Sequence, residues 1–203
     1  MRQTKRSDDL IYTNMKKFVI IAGANGTGKT TLAKEFLKKF KIEFLNADEI
    51  AISISRNKKS LLANRIKAGK RFIFKLDDAI KARKSVAIES TLAGKYLLKT
   101  IKNVKKSGYR ISIIYVFVDN PEIALRRIQA RVDAGGHDVP KDDVLRRFYR
   151  SRDNFWKLYK NVADEWTMFY NGIERPVFVA SGVKAGVEIM DSQLFDLFKR
   201  IKK

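Results

Sequence analysis

Strands alternating with helices along the 203 residues predict an α/β fold, an open and mostly parallel sheet with helices on both faces. Three observations carry this. The apolar run 18–22 (FVIIA) leads into a glycine-rich octapeptide, 23–30 (GANGTGKT), and then into a segment with Leu32, Phe36, Leu37 and Phe40 at helical spacing. The run 111–118 (ISIIYVFV) is apolar on both faces, as a strand inside a parallel sheet must be. Pro121 follows it where the first turn of a helix accepts proline.

The octapeptide fits the phosphate-binding loop GxxxxGK[ST] at every fixed position, in the strand–loop–helix context that the pattern requires. The fold class is therefore that of a P-loop NTPase. Gly23, Gly26 and Gly28 let the backbone curl until several N–H groups point at one anion, and the helix start adds its partial positive charge. Gly23, Ala24, Asn25, Gly26, Thr27, Gly28, Lys29, Thr30 and Thr31 are the expected nucleotide-binding residues. Lys29 reaches the outer phosphates, and the Thr30 hydroxyl is the expected ligand of Mg2+. The nucleotide is ATP or GTP, since no motif reads the base.

The remaining elements follow in order. Residues 1–14 are polar and charged and read as a loose arm ahead of a single domain, 15–203. A second strand is expected at 42–46, a helical pair broken near Gly69 over 49–84, and a third strand at 85–89. A helix follows from about Gly94 to Ser107. The segment 135–140 (GGHDVP) interrupts the next helix with loop residues, and a long charged helix spans 141–162. Residues 165–170 and 176–180 read as closing strands, and 187–203 as an amphipathic terminal helix.

The formal charge is +21, from 43 Lys and Arg against 22 Asp and Glu, which would attract any phosphorylated or anionic partner. The lysines are scattered. The arginines are not: Arg126, Arg127, Arg131, Arg146, Arg147, Arg150 and Arg152 crowd around the 135–140 loop. Arginine is the better phosphate fork, so this stretch reads as an arginine-rich lid hinged on Gly135 and Gly136. Arg127 and Arg131 share one helix face, Arg147 and Arg150 another, and Arg126 points to solvent. The absence of cysteine excludes disulfides and thiolate chemistry. No apolar run approaches the roughly 18 residues of a membrane span and no signal-peptide pattern occurs, so a cytoplasmic location is expected.

In an open parallel sheet ligands sit beyond the carboxyl ends of the strands. Asp48 follows the second strand and Glu89 ends the third, so both are candidates for holding the water shell of Mg2+, orienting a nucleophile or accepting its proton. Asp48 also fits a helix N-cap.

The motifs GANGTGKT at 23–30, NADEIA at 46–51, ESTL at 89–92, Arg127 with Arg131 and Val132, GGHDVP at 135–140 and RRF at 146–148 occur in an order that resembles the zeta-toxin-like P-loop kinases. The resemblance runs from Met15 to about Ser181. It implies transfer of the ATP γ-phosphate to a sugar hydroxyl, in the best-understood members the 3′-hydroxyl of the amino sugar of UDP-N-acetylglucosamine. It also implies Asp48 as the base, Glu89 as a residue positioning the acceptor sugar, and Arg127 stabilising the transferring group. Asn46, Thr91, His137 and Arg147 fall on its substrate and lid side. The lid arginine of the toxins is replaced here by His137, so Arg131 or Arg147 would supply the charge. An antitoxin protein becomes a candidate partner.

Two other readings stay open on the sequence. A polynucleotide 5′-hydroxyl kinase or basic nucleic-acid-binding NTPase would use the charge and could stack bases on Phe148, Tyr149, Phe155, Trp156 and Tyr159, although their helical spacing favours core packing. A nucleotide-binding regulator with weak hydrolysis would turn over nucleotide without an acceptor.

Overall fold

The computed structural model describes residues 15–38, 42–47, 49–50, 61–136, 138–172, 175–183 and 186–201. The expected arm at 1–14, the first half of the helical pair at 51–60, Asp48 and His137 lie outside these residues.

β1 (Lys17–Ala22) runs inside a sheet of seven strands among the described residues and enters α1 (Lys29–Lys38) through the glycine loop. β2 (Glu43–Leu45), α2 (Leu61–Lys81), β3 (Val86–Ser90), α3 (Leu97–Lys106) and β4 (Arg110–Phe117) follow. Then come α4 (Pro121–Asp133), α5 (Lys141–Asn154) and β5 (Glu165–Tyr170). The strand order is β2-β3-β1-β4-β5, all parallel, so the order reverses on either side of β1. β6 (Val177–Val183) and β7 (Gly186–Ile189) extend the sheet antiparallel, and α6 (Ser192–Arg200) closes the described chain.

Alternation along β1 explains why both faces are covered. Phe18, Ile20 and Ala22 point into one core with α2, α3 and α6, through Leu76, Ile101 and Phe198. Val19 and Ile21 point into another, where α1 contributes Ala33 and Leu32. A third cluster at the carboxyl end of the sheet joins α4 and α5 through Ala124, Ile128, Val144 and Phe148, beside Ala24 of the glycine loop. Asn120 starts α4: its Oδ1 accepts from the Ile123 amide at 3.1 Å, with Pro121 in the first turn. A cap of this kind contributes about 1 kcal/mol.

Three expectations need correction. Gly69 does not break a helix; α2 runs through it unbroken. One glycine costs about 1 kcal/mol, and burial of Ala68, Leu76 and Ala79 against the sheet offsets it. Residues 187–189 are not helical. They form β7, paired to β6 with Ala180 opposite Ile189, and the helix starts only after Asp191, whose Oδ1 accepts from the Leu194 amide at 2.9 Å. The long helix expected over 141–162 leaves α geometry at its centre, where Phe155–Tyr159 form a π-helical turn before the last α turn, Lys160–Val162.

Candidate functional site

The loop after β1 is held by contacts that only glycine permits. Gly23 has φ +141° and Gly28 φ +88°. A Cβ on Gly23 would overlap the Val116 carbonyl oxygen, and one on Gly28 would overlap the Asn171 side-chain amide. Within the loop, Thr27 Oγ1 donates to Ala24 O at 3.0 Å, and Lys29 Nζ folds back to the same carbonyl at 2.8 Å. Lys29 is buried, 5 % exposed, so its ammonium needs close partners.

Glu89 supplies the charge partner. β3 lies beside β1 with Glu89 level with Ile21, which carries the carboxylate to the start of α1. Its Oε1 lies 3.5 Å from Lys29 Nζ. Its Oε2 accepts from Thr30 Oγ1 at 2.7 Å and from Asn46 Nδ2 at 3.1 Å. The carboxylate thus sits beside the hydroxyl expected to ligate Mg2+, with Asn46 bracing it from the end of β2.

Across the cleft stands α4. Arg127 Nη1 is buried without a hydrogen-bond partner, and Arg127 has no ion pair among the described residues. A buried guanidinium N–H left unmade is costly, and an anion in the cleft would satisfy it. Arg131, one turn on, is exposed at the mouth. The cleft has a volume of about 420 Å³ and gathers Asn25, Gly26, Gly28, Lys29, Thr30 and Thr31 of the loop with Asn46, Glu89, Arg127 and Arg131. Glu49 and Gly136 also line it.

The other expected residues are spread over α4, α5 and the turn after β3. Arg147 on α5 reaches the loop, Nη1 lying 3.5 Å from Asn25 Oδ1, while its Nη2 pairs with Asp143 at 2.8 Å. Thr91 is half-buried in the turn after β3. Arg126 and Arg150 are exposed. Arg152 is turned away from the cleft and donates to Phe198 O at 3.2 Å, tying α5 to α6. Phe155 and Tyr159 are fully buried and Phe148 nearly so, and Trp156 packs edge-on against Phe195 and Phe198. Phe148, Phe155 and Tyr159 are thus core residues, while Tyr149 and Trp156 are partly buried.

One residue that holds the loop has no motif signal in the sequence. Asn171, just past β5, donates from Nδ2 to Thr27 O at 2.8 Å, and its own amide donates to Phe117 O at 2.8 Å. It clamps the phosphate loop to the strand ends. Its position after an expected strand, next to Gly172, is the one signal it has.

The residues present fit a magnesium-bound triphosphate. Lys29 and Arg127 line the cleft with positive charge, and Thr30 with Glu89 offers hard oxygen ligands. Fold and site together define a P-loop kinase-like α/β protein. Residues 3–172 match the Zeta toxin family, and the chain belongs to it.

An uncharacterised protein of Haemophilus influenzae is 32% identical over 138 residues, 68% of this chain and 96% of that protein. Among solved structures, AvrRxo1-ORF1:-ORF2 with ATP superposes with a TM-score of 0.74 at 16% identity, covering 96% of this chain and 68% of that one. The PezAT toxin–antitoxin system of Streptococcus pneumoniae superposes with a TM-score of 0.65 at 15% identity, covering 100% of this chain and 91% of that one. At such identities these likenesses speak to the fold. Among the described residues no helix is long and apolar enough to cross a membrane.

Proposed function

We propose that this protein is an ATP-dependent kinase that transfers the γ-phosphoryl group to a sugar hydroxyl, with UDP-N-acetylglucosamine or a related nucleotide sugar as acceptor. The single observation that carries the reading is Glu89, which contacts both Lys29 and Thr30 at the mouth of the phosphate loop. A loop that merely turned the chain would have no use for a buried lysine and a strand-end carboxylate aimed at its helix start. Membership of the Zeta toxin family supports a sugar hydroxyl as the acceptor.

The chemistry follows from the charges. The acceptor hydroxyl oxygen bonds to the γ-phosphorus, the bond from that phosphorus to the bridging oxygen breaks, and ADP leaves with the electron pair. The hydroxyl proton goes to a carboxylate, assigned to Asp48, two residues beyond Asn46 in the sequence. The transferring group spreads negative charge over its equatorial oxygens, so catalysis is mostly positioning and electrostatics. Lys29 holds the outer phosphates, and the orphaned Nη1 of Arg127 is ready for the charge that builds up in transfer. Arg131 and Arg147 add charge from the lid side, in place of the arginine that His137 replaces. Magnesium bound at Thr30 would neutralise phosphate charge, with Glu89 ordering its shell. An antitoxin remains a candidate partner, because PezAT is a toxin–antitoxin system of the same fold.

The test is transfer of label from γ-labelled ATP to UDP-N-acetylglucosamine, with other nucleotide sugars and 5′-hydroxyl oligonucleotides as competing acceptors. Label on the amino sugar is the expected result. Label on oligonucleotides alone would make the basic surface the substrate guide and replace this reading.

A further inference from the structure

The turn that follows Glu89 is built unusually. Leu92 is 1 % exposed, packed in the main core, and holds φ +53°, a left-handed backbone that leucine rarely adopts. Such a conformation persists only when its surroundings determine it. Two local bonds contribute: Ser90 Oγ accepts from the Leu92 amide at 3.2 Å and Thr91 Oγ1 from the Ala93 amide at 3.4 Å. Two distant ones complete the turn. Asn154 Nδ2 donates to Leu92 O at 2.8 Å, and the Tyr159 hydroxyl donates to Gly94 O at 2.6 Å.

Both donors flank or belong to the π-helical turn of the long helix. Five residues apart on an α-helix, two side chains diverge by about 140°. A π turn, with its i→i+5 hydrogen bonds, brings residue i+5 nearly above residue i. Asn154 and Tyr159 therefore reach the same short segment of chain because the helix is wound loosely between them. Burial pushes the Tyr159 hydroxyl up to about 12, which keeps it a donor over the working pH range.

We propose that Asn154 and Tyr159 are positioning residues for the acceptor, holding the left-handed turn at Leu92 and so fixing the end of β3, where Glu89 lines the cleft. The proposal rests on the kinase reading above. Neither donor lines the phosphate cleft. The π turn is then part of the acceptor site, although no motif in the sequence falls on it.

The experiment compares Tyr159→Phe, Asn154→Ala and the nearly isosteric Asn154→Asp, which cannot donate to the Leu92 carbonyl. Each should raise the KM for UDP-N-acetylglucosamine about fivefold or more, while the KM for ATP stays within about twofold. Equal kinetic constants with a lowered melting temperature would show a merely structural bond and overturn the proposal. Should the wild-type chain phosphorylate no nucleotide sugar, the acceptor assignment fails separately. Amide exchange then decides. Leu92 and Ala93 must exchange faster in the variants while Gly26–Lys29 exchange as in the wild type; unchanged exchange at Leu92 and Ala93 overturns the proposal.

Discussion

Glu89 Oε2 accepts a hydrogen bond from Thr30 Oγ1 at 2.7 Å, joining the end of β3 to the first turn of α1. The other oxygen of the same carboxylate faces Lys29 Nζ at 3.5 Å. One side chain thus touches both phosphate-loop groups that contact phosphate and metal in this class of loop. Glu89→Gln keeps the shape and removes the charge. It should lower phosphoryl transfer about 100-fold and raise the Mg2+ concentration needed for half-maximal rate. A magnesium titration checks this; an unchanged midpoint would move Glu89 to the acceptor side alone.

Lys29 is buried and held by the Ala24 carbonyl as well as by Glu89. Lys29→Ala should abolish turnover. Its effect on folding should be smaller than that of Glu89→Ala, which leaves an ammonium buried without its carboxylate and costs about 3 kcal/mol. Urea unfolding of the two variants checks the order.

Arg127 carries the one buried side-chain nitrogen without a partner among the described residues. Arg127 also lines the cleft, and a guanidinium beside developing charge acts on the transition state more than on the ground state. Arg127→Ala should lower kcat about 100- to 1,000-fold and change ATP affinity by less than about tenfold. Stopped-flow binding beside steady-state rates separates the two. Comparable kcat would shift that role to Arg131 or Arg147.

Asn171 clamps Thr27 O at 2.8 Å. Asn171→Ala removes one hydrogen bond that holds the loop in its anion-binding shape. Nucleotide Kd should rise about fivefold with the fold intact. Calorimetric titration with ATP and Mg2+ measures it.

Alkaline stability follows from Tyr159. Burial raises its pKa to about 12 in the folded chain, against about 10 when unfolded. The protonated phenol is therefore favoured by folding. Its contribution is complete below about pH 10 and is lost as pH rises towards about 12. The melting temperature of Tyr159→Phe should fall less steeply than that of the wild type across this window. Parallel curves would deny the shift.

How much of this was legible depends on how local each signal is. The phosphate loop, β1, β4 and the Pro121 helix start are written in contiguous residues, so sequence reading places them. Glu89 is legible as a strand-end polar group and Asn46 through the motif at 46–51, and the parallel pairing of β3 with β1 then brings Glu89 to Thr30. The failures have the same cause. Val187 and Ile189 satisfy both a helical and an alternating pattern over so short a span, and pairing with β6 decides for the strand. The π turn changes hydrogen bonding without changing composition. Asn154 and Asn171 are single polar residues whose partners lie 62 and 144 positions away, a separation that no local pattern records. Arg152 entered the expected cluster by sequence proximity, yet its contact with Phe198 O binds it to α6.

The most direct measurement is acceptor-dependent loss of γ-label from ATP, wild type against Lys29→Ala, with and without UDP-N-acetylglucosamine. The account predicts ADP and phosphorylated amino sugar in equal amounts from the wild type, and neither from the variant. Free phosphate released at the same rate with or without any hydroxyl acceptor would contradict it, leaving a nucleotide hydrolase in a kinase fold.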